Sequence, residues 1–423
     1  METELGFEIK NDAVIFGLLI FILAVIFRTS SSSNPYLKKF YTYVPPLLLC
    51  YFIPGLLNWP LGLVSPEESQ LYFVASRYLL PASLVLFCLS IDLKGVYNLG
   101  PKALIMFFTA TIGIVIGAPV ALWISGMIFP ELKEAVTGEE IWRGLSTIAG
   151  SWIGGGANQT AMKEIYQTSD ALFSSMIIID VVVANIWMGF LLFGAGRYHK
   201  IDKKLKADNS SIETLKKKVE DYSASIAKIP NSTDLFIILA IGFGATAIAH
   251  WGADQISPFM VKHQAALAKY NLNSLTSSFF WLIVIATTIG LALSFTKLKR
   301  YEGAGASKFG SVFIYILVAT IGMKMNLLEA FNNLHFFIIG VIWMVIHITL
   351  LLTVAKFIKA PLFFVAVGSQ ANIGGAASAP IVASAFSTAL APVGVLLAVL
   401  GYALGTYGAI ISTQLMQWVY NLM

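Results

Sequence analysis

Apolar runs long enough to cross a lipid bilayer recur along this chain from near its first residue to its last. A helix needs about 20 mostly apolar residues to span a bilayer, and interruptions must be covered by protein or line a cavity. Runs of this kind lie near 13–28, 41–64, 70–91, 101–129, 142–167, 170–196, 234–255, 275–297, 306–325, 331–358, 361–388 and 390–418. Of the 423 residues, 57% are hydrophobic and only 12% are charged. Soluble domains carry roughly 25% charged residues, so lipid must be the solvent for most of this surface. The expected fold is an all-α polytopic membrane protein of the inner (plasma) membrane, without a large soluble appendage.

The first run is followed by Arg28 and the run Ser30–Ser33, and it is preceded mainly by acids: Glu2, Glu4, Glu8 and Asp12 against Lys10. A cleaved signal carries its positive charge first and a small-residue cleavage site after the apolar run. Residues 1–40 therefore read as a retained extra transmembrane helix. Cys50 and Cys88 both sit in apolar runs and read as buried small hydrophobes, not as a disulfide or metal pair.

Charge then limits the topology. The segment 197–233 is the most basic, with Arg197, Lys200, Lys203, Lys204, Lys206 and Lys216–Lys218, and positive loops face the cytoplasm. Arg28, Lys38 and Lys39 after the first run, and Lys94 and Lys102 after the third, should share that side. If every later run crossed once, 197–233 would fall outside. One element between Pro101 and Gly196 must therefore enter and leave on one side. The segment 142–167 contains Gly154-Gly155-Gly156, and glycine costs roughly 1 kcal/mol per residue against alanine in a helix. A re-entrant hairpin there restores the charge rule and puts Lys297–Arg300, Lys356 and Lys359 on the cytoplasmic side.

The second half echoes the first. Gly150-Ser151 followed by Ile153-Gly154-Gly155 matches Gly368-Ser369 followed by Ile373-Gly374-Gly375, and Asn158 has a counterpart in Asn372. Leu89-Ser90-Ile91-Asp92-Leu93 resembles Thr320-Ile321-Gly322 leading to Asn326-Leu327. The division is 1–40 (extra helix), 41–196 (first repeat), 197–233 (basic cytoplasmic linker), 234–274 (connecting helix and loop) and 275–423 (second repeat). With the hairpin in place the two repeats run in opposite senses. Paired interrupted segments in inverted repeats point to a transport site near the midplane. Close helix packing explains Gly113, Gly117, Gly401 and Gly405 equally well.

A broken helix exposes N–H groups that suit a carboxylate at one stub and carbonyls that suit a cation at the other. The expected solute-binding set is Ser151, Gly155, Asn158 and Gln159 from one tract, with Ser369, Gln370, Asn372, Gly375 and Ser378 from the other. Ionisable groups inside apolar segments are functional candidates by default. Asp180 is the foremost, as the cation-coupling residue or as the salt-bridge partner of Lys324 or Arg77. Asn185 and Thr406 join it as candidate ion-coupling residues. His347 is read as a proton carrier or a packing residue, and Arg77 as a partner of Asp92 or of a substrate carboxylate. No phosphate-binding loop, H-E-x-x-H zinc motif, clustered Cys/His set or G-x-S-x-G elbow occurs, so neither an ATP-driven pump nor an enzyme is expected.

The tract Gly150–Asn158 and its echo Gly368–Ser378 carry a resemblance covering nearly the whole chain. The sequence resembles the bacterial and plant YjcL-like family of membrane proteins, which is similar to a superfamily of sodium/glutamate symporters, bile acid symporters and cation/proton antiporters. The resemblance implies a core domain moving elevator-fashion against a scaffold, frequently in a homodimer. No cofactor is expected other than Na⁺ as a coupling ion, and no nucleic acid partner. Adjacent buried carboxylates are missing around Asp180, which argues against simple Na⁺/H⁺ exchange. The resulting expectation is Na⁺- or H⁺-coupled transport of a small carboxylate-bearing solute, such as an amino acid or a short cell-wall-derived peptide. The rival reading is a passive channel or a membrane-embedded subunit of a larger complex.

Overall fold

A computed structural model describes residues 8–44, 46–66, 68–91, 96–97, 99–129, 139–205, 207, 229–269, 272–324, 336–387 and 390–423. Their regular structure is helical apart from one isolated bridge between Ile9 and Val64. Eight helices among the described residues are long and apolar enough to cross a membrane. They include α1 (Asp12–Ser30), α4 (Leu71–Leu89), α5 (Pro101–Ile128), α7 (Asp170–Ala195), α9 (Ser232–Lys262), α12 (Ala306–Lys324) and α13 (Phe337–Phe357). The eighth is α16 (Ala391–Leu422), whose crossing length starts at Val393. The chain is thus a multi-pass membrane protein with a bilayer as its solvent.

The expected crossing at 41–64 takes a different form. It is replaced by α2 (Pro35–Tyr43) and α3 (Pro46–Asn58), because Pro46 cannot donate to a preceding turn and disfavours helix before it. The basic linker starts as α8 (Tyr198–Leu205); residues 208–228 lie outside the described part. So do Asp92, Asn326 and Leu327, and with them part of the second sequence echo. Cys50 and Cys88 are free and buried, as their surroundings demand.

The 142–167 segment forms α6 (Ile141–Ile165), which turns back on itself. Gly154 (φ −144°) and Gly155 (φ +72°) leave helical geometry, and only glycine takes the second conformation without strain. The arms then lie side by side: a Cβ on Gly150 would sit 2.6 Å from the carbonyl oxygen of Asn158. The mouth is closed by Arg143, which donates to Tyr166 O at 2.7 Å, and by Thr168, which donates to Arg143 O at 3.1 Å. We call this hairpin A.

Helices α14 (Leu362–Ile373) and α15 (Gly375–Phe386) form hairpin B, broken at Gly374 and at Gly375 with φ +56°. Its two ends meet through the rings of Phe363 and Phe386, whose centroids are 5.5 Å apart. Helix α7 fixes how the two hairpins are placed. Its first turn lies beside the mouth of hairpin A, where Ser169 N donates to the Glu139 carboxylate at 3.1 Å. Just past its far end, the backbone N–H of Leu362 donates to Asp202 at 2.8 Å, and Tyr198 packs on Phe386. Twenty-six helical residues, roughly 39 Å, separate those points. The hairpins therefore enter from opposite ends of the bundle.

The remaining packing divides the helices into two groups. Helices α5, α7, α13 and α16 surround the hairpins, with α16 lying along hairpin A and α13 along α5. Helices α1, α3, α4, α9, α12 and α11 (Ser278–Ser294, which follows the short α10, Gln264–Ala268) pack mainly on one another. Gly113 and Gly117 serve close approach, facing His347 and Trp343 of α13.

Candidate functional site: the meeting of two hairpin tips

The tips of the hairpins converge on α16. A Cβ on Gly155 would lie 3.2 Å from the ring of Tyr402, and one on Gly375 would lie 3.7 Å from the Tyr402 hydroxyl. Gly401 has no side chain because a Cβ there would be 2.9 Å from Ile153 O and 3.3 Å from Ala371 O, one carbonyl from each hairpin. The Tyr402 ring is in turn stacked on Phe87 of α4, at 4.2 Å between centroids. Tyr402 is thus the contact point shared by both tracts.

Hairpin A is held by two polar centres. Asp180, 5% exposed, accepts from Ser151 Oγ (2.6 Å), Trp152 Nε1 (2.6 Å) and Gln159 Nε2 (2.9 Å). One carboxylate on α7 therefore binds both arms of the hairpin. Asn158, fully buried, donates to Gly154 O and to Tyr402 O (3.1 Å) and accepts from Thr406 Oγ1 at 2.6 Å. Thr406 continues to Thr287 of α11 at 3.3 Å.

Hairpin B is held in the same style. Asn372 donates to Gly368 O and Phe107 O, and accepts from Thr111 at 2.8 Å. Ser369 meets Trp187 Nε1 (2.9 Å) and His347 Nε2 (2.8 Å). The serine of each Gly-Ser pair thus ends on a buried ionisable group: Ser151 on Asp180, Ser369 on His347. Gln370 Nε2 donates to Ser378 Oγ across the tip at 2.6 Å, whereas Gln370 Oε1 is buried with no hydrogen-bond partner among the described residues.

Several expectations need correcting. Asn185 does not join Asp180; it donates to Val181 O of its own helix at 2.6 Å. Five residues turn a helix by about 140° past a full turn, which takes the side chain off the Asp180 face. Thr406 serves Asn158 and not Asp180. Neither Lys324 nor Arg77 pairs with Asp180. Lys324 pairs with Asp170 (3.3 Å), and Arg77 pairs with Glu164 (2.8 Å). These pairs belong to a cluster near the mouth of hairpin A, in which Lys163 bonds Asp170 at 2.8 Å and Tyr72 donates to Glu164. Arg77 itself projects from a π-helical turn, Ala75–Leu79, in α4. Trp152 stands inside the first glycine tract and Trp187 in the apolar run of α7, and neither was singled out by the sequence as a donor to the site. No group of metal-ligating side chains occurs among the described residues.

Comparison with known proteins places the chain in a family of membrane proteins. The chain is 22% identical to the Uncharacterized membrane protein YjcL of Bacillus subtilis (strain 168) over 360 residues, or 81% of this chain and 83% of that protein. Residues 17–419 match the family model described as Protein of unknown function (DUF819). With nearly its whole length inside that match, the chain belongs to the DUF819 family of YjcL-like membrane proteins.

Proposed function

We propose that this protein is a cation-coupled secondary transporter of a small carboxylate-bearing solute, an amino acid or short peptide, and is not an enzyme. One observation carries the reading: two glycine-broken hairpins enter from opposite ends and present their tips to one residue, Tyr402. Unpaired backbone at membrane depth is tolerated only where it is buried in protein or lines a cavity, and such breaks form solute and ion sites in transporters. The order long helix, hairpin, long helix occurs as α5–A–α7 and again as α13–B–α16, which supports a pair of inverted repeats.

The polar set supports coupling. Asp180 holds hairpin A through three donors, so a proton on the carboxylate, or Na⁺ beside it, would rearrange the bonds that fix both arms. The unpartnered Gln370 Oε1 is an acceptor suited to a cation or to a solute N–H. The division of the helices into a hairpin group and a second group supports an elevator-like movement of one against the other. Arg28, Lys102, Arg197, Lys200 and Lys359 lie at the end where hairpin B opens, and by the positive-inside rule that end faces the cytoplasm. A homodimer in the inner membrane, with Na⁺ or H⁺ as the coupling ion, completes this reading.

The test is uptake into proteoliposomes of labelled amino acids, dipeptides and dicarboxylates, with and without inward Na⁺ or H⁺ gradients. Gradient-driven accumulation supports the transporter. Leak down the solute's own gradient, indifferent to ions, would instead establish a passive channel.

A further inference from the structure

A cavity of about 590 Å³ lies against the mouth of hairpin A, apart from the tips. That is the size of sites that hold small solutes. Its wall includes Trp142 and Arg143 of hairpin A, Gln167 just beyond it, Arg77 of the π-turn, His250 of α9 and Ser277, the N-cap of α11. No carboxylate side chain lines it among the described residues. Glu140 and Glu164, the acids paired with the two arginines, are not among its lining residues.

The two guanidinium groups are held in place while keeping donors unused. Arg77 lies 4.4 Å over the Phe279 ring and gives Nη1 to Glu164; its Nε and Nη2 make no hydrogen bond among the described residues. Arg143 lies 4.8 Å over the Trp142 ring, gives Nε and Nη2 to Glu140 and gives one Nη1 hydrogen to Tyr166 O. An aromatic ring covers one face of each plane, so Arg77 keeps its Nε/Nη2 edge for a carboxylate and Arg143 keeps one N–H on each of Nη1 and Nη2. Trp142, only 3% exposed, carries an indole N–H with no hydrogen-bond partner among the described residues. The N-terminus of α11 adds its partial positive charge to the same wall. Gln167 adopts φ +53°, a conformation rare outside glycine that collects at functional sites.

We propose that this cavity is a binding site for a small solute bearing two carboxylates, one for each guanidinium. Under the transporter reading, on which its role rests, it captures the solute on the side away from the basic end before the tips receive it. Binding itself does not depend on that role. The site therefore names the substrate class as dicarboxylate.

The experiment titrates the purified full chain with succinate and L-glutamate, using succinamide as the uncharged counterpart, and reads binding by calorimetry. Both dicarboxylates bind, succinamide does not, and Arg143→Gln raises Kd at least tenfold. Trp142→Phe, which keeps the ring under Arg143 and removes the N–H, raises Kd about threefold, so a poorly folding arginine variant does not end the test. In proteoliposomes Arg143→Gln raises KM by the same factor. Equal Kd in wild type and both variants, no binding of either dicarboxylate, or equal binding of inorganic phosphate would overturn the site. Arginine-dependent binding without uptake would leave the site standing and remove the transporter reading. Uptake indifferent to both variants would do the reverse.

Discussion

Ser151 Oγ donates to Asp180 at 2.6 Å, and this bond joins the first arm of hairpin A to the helix that follows the hairpin. Because Gln159 reaches the same carboxylate oxygen from the second arm, Asp180 closes the hairpin as a clamp would. Asp180→Asn places an amide donor where donors already point. Each orphaned buried donor costs about 1–3 kcal/mol. The variant is expected to unfold several degrees earlier and to lose at least tenfold in coupled uptake. Uptake at the wild-type rate under an ion gradient would take Asp180 out of the coupling step.

Neighbouring glycines of hairpin A separate backbone need from mere small size. Gly155 has φ +72° with the Tyr402 ring 3.2 Å from any Cβ, whereas Gly156 has open space around its Cβ position and no positive φ. With ψ −175° the Gly155 backbone lies in a region open essentially to glycine alone, and it costs an L-residue about 1–3 kcal/mol. Gly155→Ala is therefore expected to lower the unfolding temperature and uptake together. Gly156→Ala is expected to hold or raise stability, since alanine favours helix by about 1 kcal/mol. Thermal unfolding of the two variants side by side decides; equal losses would mean that the turn is not where the structure has it.

These contrasts mark what the sequence could carry. Gly154-Gly155-Gly156 announced a break, and the charges of 197–233 favoured a segment that returns, but the sequence left open an unwound crossing helix; only the packing of the two arms decides for the hairpin. The candidates Ser151, Asn158, Gln159, Ser369 and Asn372 were legible as polar groups that an apolar run must satisfy. Their partners were not. Arg77 and Lys324 find Glu164 and Asp170 only through tertiary packing, and nothing in spacing alone prefers those acids to Asp180. Trp152 and Trp187 look like lipid-facing aromatics until the serine and carboxylate beside them are seen.

The ion cluster at the mouth of hairpin A behaves as a unit. Glu164 is held by Arg77 and Tyr72, while Lys163 and Lys324 share Asp170. Removing one member of a partly buried pair leaves an uncompensated charge, so single loss exceeds the net worth of the pair. Glu164→Gln alone is expected to destabilise more than Glu164→Gln combined with Arg77→Met. Chemical or thermal unfolding of the double-mutant cycle should give a coupling of about 0.5–3 kcal/mol. Additive single effects would place the Arg77 contact in solvent.

Ser369 offers the sharpest test of the parallel between the hairpins. Its hydroxyl is the shared partner of Trp187 Nε1 and His347 Nε2, and both rings come from helices that flank hairpin B. Ser369→Ala leaves the indole N–H without an acceptor and His347 without its partner, at about 1–3 kcal/mol for each group. Ser369→Thr keeps the hydroxyl but adds a methyl to a position with no exposed surface, so it restores the bonds against a packing cost. If the serine holds the hairpin as Ser151 does, the alanine variant loses uptake and stability, and threonine regains part of both. Changing His347 to Gln in the Ser369→Ala background should then add little, because the contact between them is already gone. Full additivity of the two substitutions would show that His347 stabilises α13 by packing alone and that the resemblance to the Asp180 centre ends at the sequence.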